Sequence, residues 1–212
     1  MSTPHTTPPP VATYTRTVDD LAYHCDGVFN CDTAHRAVDQ ARATLEPVSR
    51  IPAFLPILTE RFARDLLLAA AQVEGKIATG TPEILFVCVH NAGRSQMAAA
   101  LAKHLSAGKV HVRSAGSQPT GQIHPLTIQV LAERGMEITE AFPKPLTDDV
   151  VRAADVIITM GCGDACPVLL GKRYEDWPVA DPAGQPIEVV RAIRDDIQVR
   201  VTTLLADILH QS

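Results

Sequence analysis

The chain has 212 residues, 46% of them hydrophobic and 20% charged, and carries a net charge of −5. This is the composition of an ordinary globular protein, with material for one large domain or two modest ones. The negative balance argues against a nucleic-acid or membrane-surface binder, which would need a basic face, and no apolar run is long enough to span a bilayer.

Residues 1–12, with Pro8-Pro9-Pro10, read as a flexible tail without the basic and apolar segments of a signal peptide. Five cysteines in such a chain point to a reducing compartment, the cytoplasm, where thiols serve chemistry more often than structure. Residues 13–78 are expected to form a three-helix bundle. In the first helix Val18, Leu21, Cys25 and Val28 recur at helical spacing. Asp32 or Thr33 caps the second, whose apolar face is Ala34, Val38, Ala41, Leu45 and Val48. Arg50-Ile51-Pro52 breaks the chain, and the third helix carries Leu55, Leu58, Phe62, Leu66, Ala69 and Val73. Gly75 to Pro82 reads as a linker.

From residue 79 to 212 the pattern changes to strands alternating with helices, which implies a parallel sheet wrapped on both sides. Ile84 to Val87 is a continuous apolar run, as a strand buried on both faces requires. A helix over 95–105 follows, then a strand over 110–113, a helix over 125–134 and a second apolar strand at Val156-Ile157-Ile158. The last helix begins near Pro186 with a core stripe of Val190, Ile193, Ile197, Val201, Leu204 and Ile208.

The chemistry concentrates in Cys88-Val89-His90-Asn91-Ala92-Gly93-Arg94-Ser95, between the first strand and the first helix of this region. Successive N–H groups of a tight loop, here spanning His90, Asn91, Ala92, Gly93, Arg94 and Ser95, can converge on one tetrahedral oxyanion. The helix N-terminus adds partial positive charge and Arg94 a bidentate fork. The same field favours the thiolate of Cys88, the form that acts as a nucleophile. Ser95 is placed to donate a hydrogen bond to that sulfur, and Asn91 to hold the loop in shape.

Cys-x5-Arg-Ser at the start of a parallel α/β region resembles the low-molecular-weight protein tyrosine phosphatases and the arsenate reductases that share their fold. The resemblance covers about residues 82–210 and is supported by Ser114-Ala115-Gly116 and by Asp181-Pro182. It implies a four-stranded parallel sheet flanked by helices, preceded here by the small three-helix bundle. It also implies Asp181 as the general acid that protonates the leaving oxygen. Read without the resemblance, Asp-Pro-Ala-Gly is equally good turn chemistry.

Cys162 and Cys166 separate the reductase reading from the phosphatase one. Arsenate reductases of the family carry two further redox cysteines in this region, and a phosphatase has no use for them. The resemblance thus implies a relay: Cys88 takes up arsenate, Cys162 attacks Cys88 to release arsenite, and Cys166 closes a disulfide with Cys162. Thioredoxin or another dithiol would reopen that disulfide, with NADPH supplying electrons through thioredoxin reductase, and no tightly bound cofactor is implied. Phosphate or sulfate would fit the same oxyanion loop. The glycines on either side of Cys162 offer mobility. Phosphatases of the family often carry a second Cys just before the motif's Arg; here Gly93 stands there.

No metal site is expected. Zinc needs four ligands, and no second pair stands near Cys162 and Cys166. His24 and Cys25 point in different directions from a helix, which argues against a site with Cys31 and His35. The potassium ion of some related reductases uses a Glu where this chain has Ala99, and Pro143-Lys144-Pro145 replaces an expected Asp. Trp177 and Tyr174 are expected in packing, His104 and His111 in solvent, and His124 at a loop end. Three alternatives stay open: a phosphatase, a reductase served by mycothiol, and an oxyanion sensor with the bundle as its output.

Overall fold

The computed structural model describes residues 12–24, 28–47, 52–76, 80–139, 141–162 and 166–211. The chain divides into two compact units between Ala78 and Thr79. The first holds α1 (Ala12–His24), α2 (Cys31–Leu45) and α3 (Leu55–Val73), the last entered through a 3-10 turn at Pro52–Phe54.

Several expectations shift here. Cys25, Val48, Arg50 and Ile51 lie outside the described residues. Val18 and Leu21 are buried as expected, joined by Tyr14, but α1 stops at His24 and Val28 stands in a turn, with Phe29 as the buried residue instead. The cap of α2 is Asn30, not Asp32 or Thr33: its side chain accepts from the Thr33 N–H at 2.9 Å. Asn30 alone combines extended backbone with a side-chain acceptor one residue ahead of the helix. On α3, Leu55, Phe62, Leu66 and Ala69 are buried, Leu58 only partly, and Val73 is 44% exposed because the helix ends there.

The second unit is a four-stranded parallel sheet in the order β2-β1-β3-β4. Its strands are β1 (Glu83–Cys88), β2 (His111–Gly116), β3 (Val156–Met160) and β4 (Arg173–Asp176). Every residue of β1 is buried, which explains its uninterrupted apolar run. On one face Ile84, Phe86, Ile158 and Met160 pack with α4 (Arg94–Ser106), α5 (Pro125–Ala132) and α7 (Ile187–Gln211). The α7 stripe is buried at all six expected positions. Trp177 joins this core against Phe86, ring centroids 5.8 Å apart.

Two elements carry too little local signal to be read from sequence. Strand β4 is short, polar and at the sheet edge, and its pairing with β3 alone defines it. Helix α6 (Asp148–Ala153) has six residues, too few for a periodic pattern, and Thr147 caps it. Strand β2 also runs to Gly116 rather than stopping at Arg113, so Ser114-Ala115-Gly116 is its buried end. Among the described residues no helix is long and apolar enough to cross a membrane.

Candidate active site

The order in which strands are added reverses at β1: the first connection leads to β2 on one side, and the next returns from β2 to β3 on the other. The crevice at the carboxyl end of such a strand is where open α/β sheets bind ligands. Cys88 is the last residue of β1, in register with Gly116 of β2 and Met160 of β3. The loop it opens ends at Arg94, the first residue of α4.

The loop's carbonyl groups are all occupied. Those of Cys88, Val89, His90 and Ala92 accept from the N–H groups of Ser117, Gln118, Thr120 and His124 at 2.8–3.1 Å. The Asn91 carbonyl accepts from Gln96 Nε2 at 3.1 Å and that of Gly93 from the Met97 N–H at 2.9 Å. A loop whose carbonyls are tied outward presents its N–H groups as an anion-binding concavity.

Around Cys88 the hydrogen-bond roles resolve in sequence. The Lys144 N–H donates to Asn91 Oδ1 at 2.8 Å, so the other terminal atom of that amide is nitrogen. Asn91 Nδ2 therefore donates to Ser95 Oγ at 2.7 Å, which turns the Ser95 hydroxyl hydrogen toward Cys88 Sγ, 3.0 Å away. The Asn91 N–H also lies 3.3 Å from that sulfur. Two hydrogen-bond donors thus converge on the one sulfur. Asn91 holds φ +49°, a left-handed conformation that Asn tolerates better than most residues.

Arg94 is buried, and its fork reaches two groups. Nη2 pairs with Asp181 Oδ2 at 2.8 Å and Nη1 donates to the Val179 carbonyl at 3.5 Å. Asp181 also accepts from the Ala183 N–H at 3.0 Å and remains 45% exposed. Thus Cys88, Arg94, Ser95 and Asp181 come together at one sheet end. Asn91 and Ala92 are fully buried supports, and His90 points to solvent.

Cys162 follows β3 at the same sheet end, and both Cys162 and Cys166 are buried and free. Burial, and to a smaller degree the charge of Cys88, pushes the Cys162 thiol up. Burial, with the charge of Cys162 added, pushes Cys166 up to about 11. Gly163, which with Gly161 was expected to supply mobility, lies outside the described residues, as do Asp164 and Ala165. Cys31, His104 and His111 are exposed. Tyr174 is a packing residue, its hydroxyl donating to the Pro167 carbonyl and accepting from the Leu169 N–H, each at 2.9 Å.

Three glycines hold the site together in ways that residue chemistry does not announce. A Cβ on Gly93 would lie 2.6 Å from Pro182 Cγ, so a side chain there, including the Cys of some phosphatases, meets the Asp181-Pro182 turn. A Cβ on Gly116 would lie 2.7 Å from the Val89 carbonyl, so the end of β2 must be bare for the loop to close over it. The Pro143-Lys144-Pro145 segment is drawn into the same place: the Gly116 N–H donates to the Lys144 carbonyl at 2.8 Å. The third, Gly161, faces Arg94.

Comparison with known proteins gives a consistent set. The family model described as low molecular weight phosphotyrosine protein phosphatase matches residues 83–212. A second, described as protein-tyrosine-phosphatase-like, N-terminal domain, matches residues 14–71. A solved thioredoxin-dependent arsenate reductase of Corynebacterium glutamicum is 44% identical, with 95% of this chain and 99% of that one covered at a TM-score of 0.86. A glutaredoxin arsenate reductase of Synechocystis is 37% identical over 129 residues, 59% of this chain and 98% of its own length. An arsenate reductase solved in a phosphate-binding state is 36% identical, covering 60% of this chain and 99% of its own at a TM-score of 0.54.

Proposed function

The chain belongs to the low molecular weight phosphotyrosine protein phosphatase family, among its arsenate reductases, and on that premise we propose that Cys88, Cys162 and Cys166 form its thiol relay. The observation that carries this reading is geometric: the buried, free Cys162 follows β3 at the sheet end where Cys88 closes β1, and a second buried, free thiol, Cys166, stands four residues on.

Arsenate binds to the loop N–H groups and Arg94. Its negative charge competes with Asp181 for the guanidinium, which frees Asp181 to carry a proton to the leaving oxygen. Cys88 attacks arsenic, an S–As bond forms, an As–O bond breaks, and the departing oxygen leaves as water. The Cys162 thiolate then attacks Cys88 Sγ. An S–S bond forms and the S–As bond breaks with its electron pair passing to arsenic, which leaves as arsenite. Cys166 attacks Cys162, Cys88 departs as thiolate, and a disulfide joins Cys162 and Cys166. A dithiol protein of the thioredoxin type reduces that disulfide, itself recharged from NADPH through its reductase, and the cytoplasm is the compartment that keeps such thiols reduced. Residues 13–78 form a helical domain separate from a catalytic domain of residues 79–212.

The test is a trap. Cys166→Ser should release one arsenite per chain and stop with Cys88 disulfide-linked to Cys162, as read by mass spectrometry of peptides after one turnover. Sustained turnover with thioredoxin in the Cys162→Ser, Cys166→Ser double variant would sink the relay. Turnover of that variant with mycothiol alone would transfer the second step to a small thiol.

A further inference from the structure

We propose that Gly161 is a positioning residue for Arg94, so that the segment carrying Cys162 forms one wall of the oxyanion clamp. Gly161 joins the end of β3 to Cys162 and holds φ +69°. A Cβ built on it would lie 2.7 Å from Arg94 Nη1 and 3.7 Å from Cζ. On its other sides the same guanidinium is bounded by the Val179 carbonyl and Asp181. The bare backbone of Gly161 therefore fills a place in which an added methyl group would displace the fork.

The atom that such a methyl would meet is the far end of a flexible side chain and not backbone, so the displacement falls on function more than on folding. A clamp moved by the width of a methyl group loses the alignment that a bidentate contact to an oxyanion needs.

This rests on Arg94 as the oxyanion clamp, and the experiment separates the two claims. The affinity of the full chain for inorganic phosphate is read from its protection of Cys88 against alkylation, a measurement that needs no relay chemistry. The control is Gly171→Ala, which places Ala at φ +82° with nothing within 4 Å of the new Cβ. It carries the same kind of left-handed strain without the contact.

Gly161→Ala should weaken phosphate about 10- to 100-fold, the loss of a charge-assisted clamp. Gly171→Ala should stay within about twofold of the parent. In an Arg94→Lys background the Gly161→Ala effect should shrink to about twofold, because the group it displaces is gone. If Gly161→Ala does not fold, as judged by Trp177 fluorescence, Gly161→Asn carries a Cβ at a residue type that accepts positive φ. Arg94→Lys weakening phosphate while Gly161→Ala and Gly161→Asn do not would overturn the inference. Arg94→Lys without effect would overturn the clamp itself, and the inference with it.

Discussion

Asn91 joins fold to chemistry, and three substitutions there separate the two. Asn91→Ala removes the acceptor of the Lys144 N–H, at a cost of about 1–3 kcal/mol, toward the lower end because the donor is only partly buried. Gln96 Nε2 keeps the carbonyls of Asn91 and Phe142, so it adds little. Alanine at φ +49° adds about 1–2 kcal/mol of steric strain. The sum, about 2–5 kcal/mol, is a large part of the roughly 5–15 kcal/mol that holds a domain folded. Asn91→Gly loses the same acceptor without the strain and should be about 1 kcal/mol more stable than Asn91→Ala. Asn91→Asp keeps an oxygen for Lys144 but cannot donate to Ser95, so the Ser95 hydroxyl turns to the carboxylate and away from Cys88. It also buries a carboxylate, which adds a desolvation cost, and it should slow both Cys88 alkylation and arsenate turnover by about 10-fold, the worth of one hydrogen bond to a charged group. Urea unfolding followed by the fluorescence of Trp177, the single tryptophan, reports on the α/β unit that contains it. Equal stability of Asn91→Ala and Asn91→Gly would refute the strain argument. Full reactivity of Cys88 in Asn91→Asp would refute the hydrogen-bond path through Ser95.

Asp181→Asn should slow the first chemical step by about 10²–10⁴-fold while leaving phosphate protection of Cys88 intact; an unchanged single-turnover rate would assign the proton to another group. Formation of the Cys162–Cys166 disulfide should speed up with pH by close to tenfold per unit between about pH 7 and 9. Burial holds Cys166 up to about 11 and only the thiolate attacks, so its reactive fraction keeps rising throughout that window; a flat stopped-flow profile there would contradict it. A chain beginning at Thr79 should fold and reduce arsenate, because the sheet and its core lie wholly within residues 79–212; an insoluble or inactive product would show that the two units fold as one.

Much of the frame was legible because its causes are local. A parallel strand buried on both faces is built from apolar residues, and β1 is apolar from Ile84 to Cys88, with the buried Glu83 at its start paired to Arg113. A long helix on a core must repeat its apolar residues, and α7 does. The loop from Cys88 to Ser95 announced itself because nucleophile, guanidinium and hydroxyl have distinctive chemistry at close spacing. Strand β4 and helix α6 stayed hidden because Arg173-Tyr174-Glu175-Asp176 has no apolar pattern and six residues make no period.

Sequence alone determined which groups are chemically able to react, since that depends on residue type. Tertiary structure decided what those groups touch. Arg94 meets Asp181 across 87 positions, Asn91 meets Lys144 across 53, and Gly93, Gly116 and Gly161 matter through the side chains and carbonyls that approach them. A glycine carries no functional group to mark it. Its role is the volume it leaves to a distant part of the chain, and that volume exists only once the sheet has brought β1, β2 and β3 to a common end.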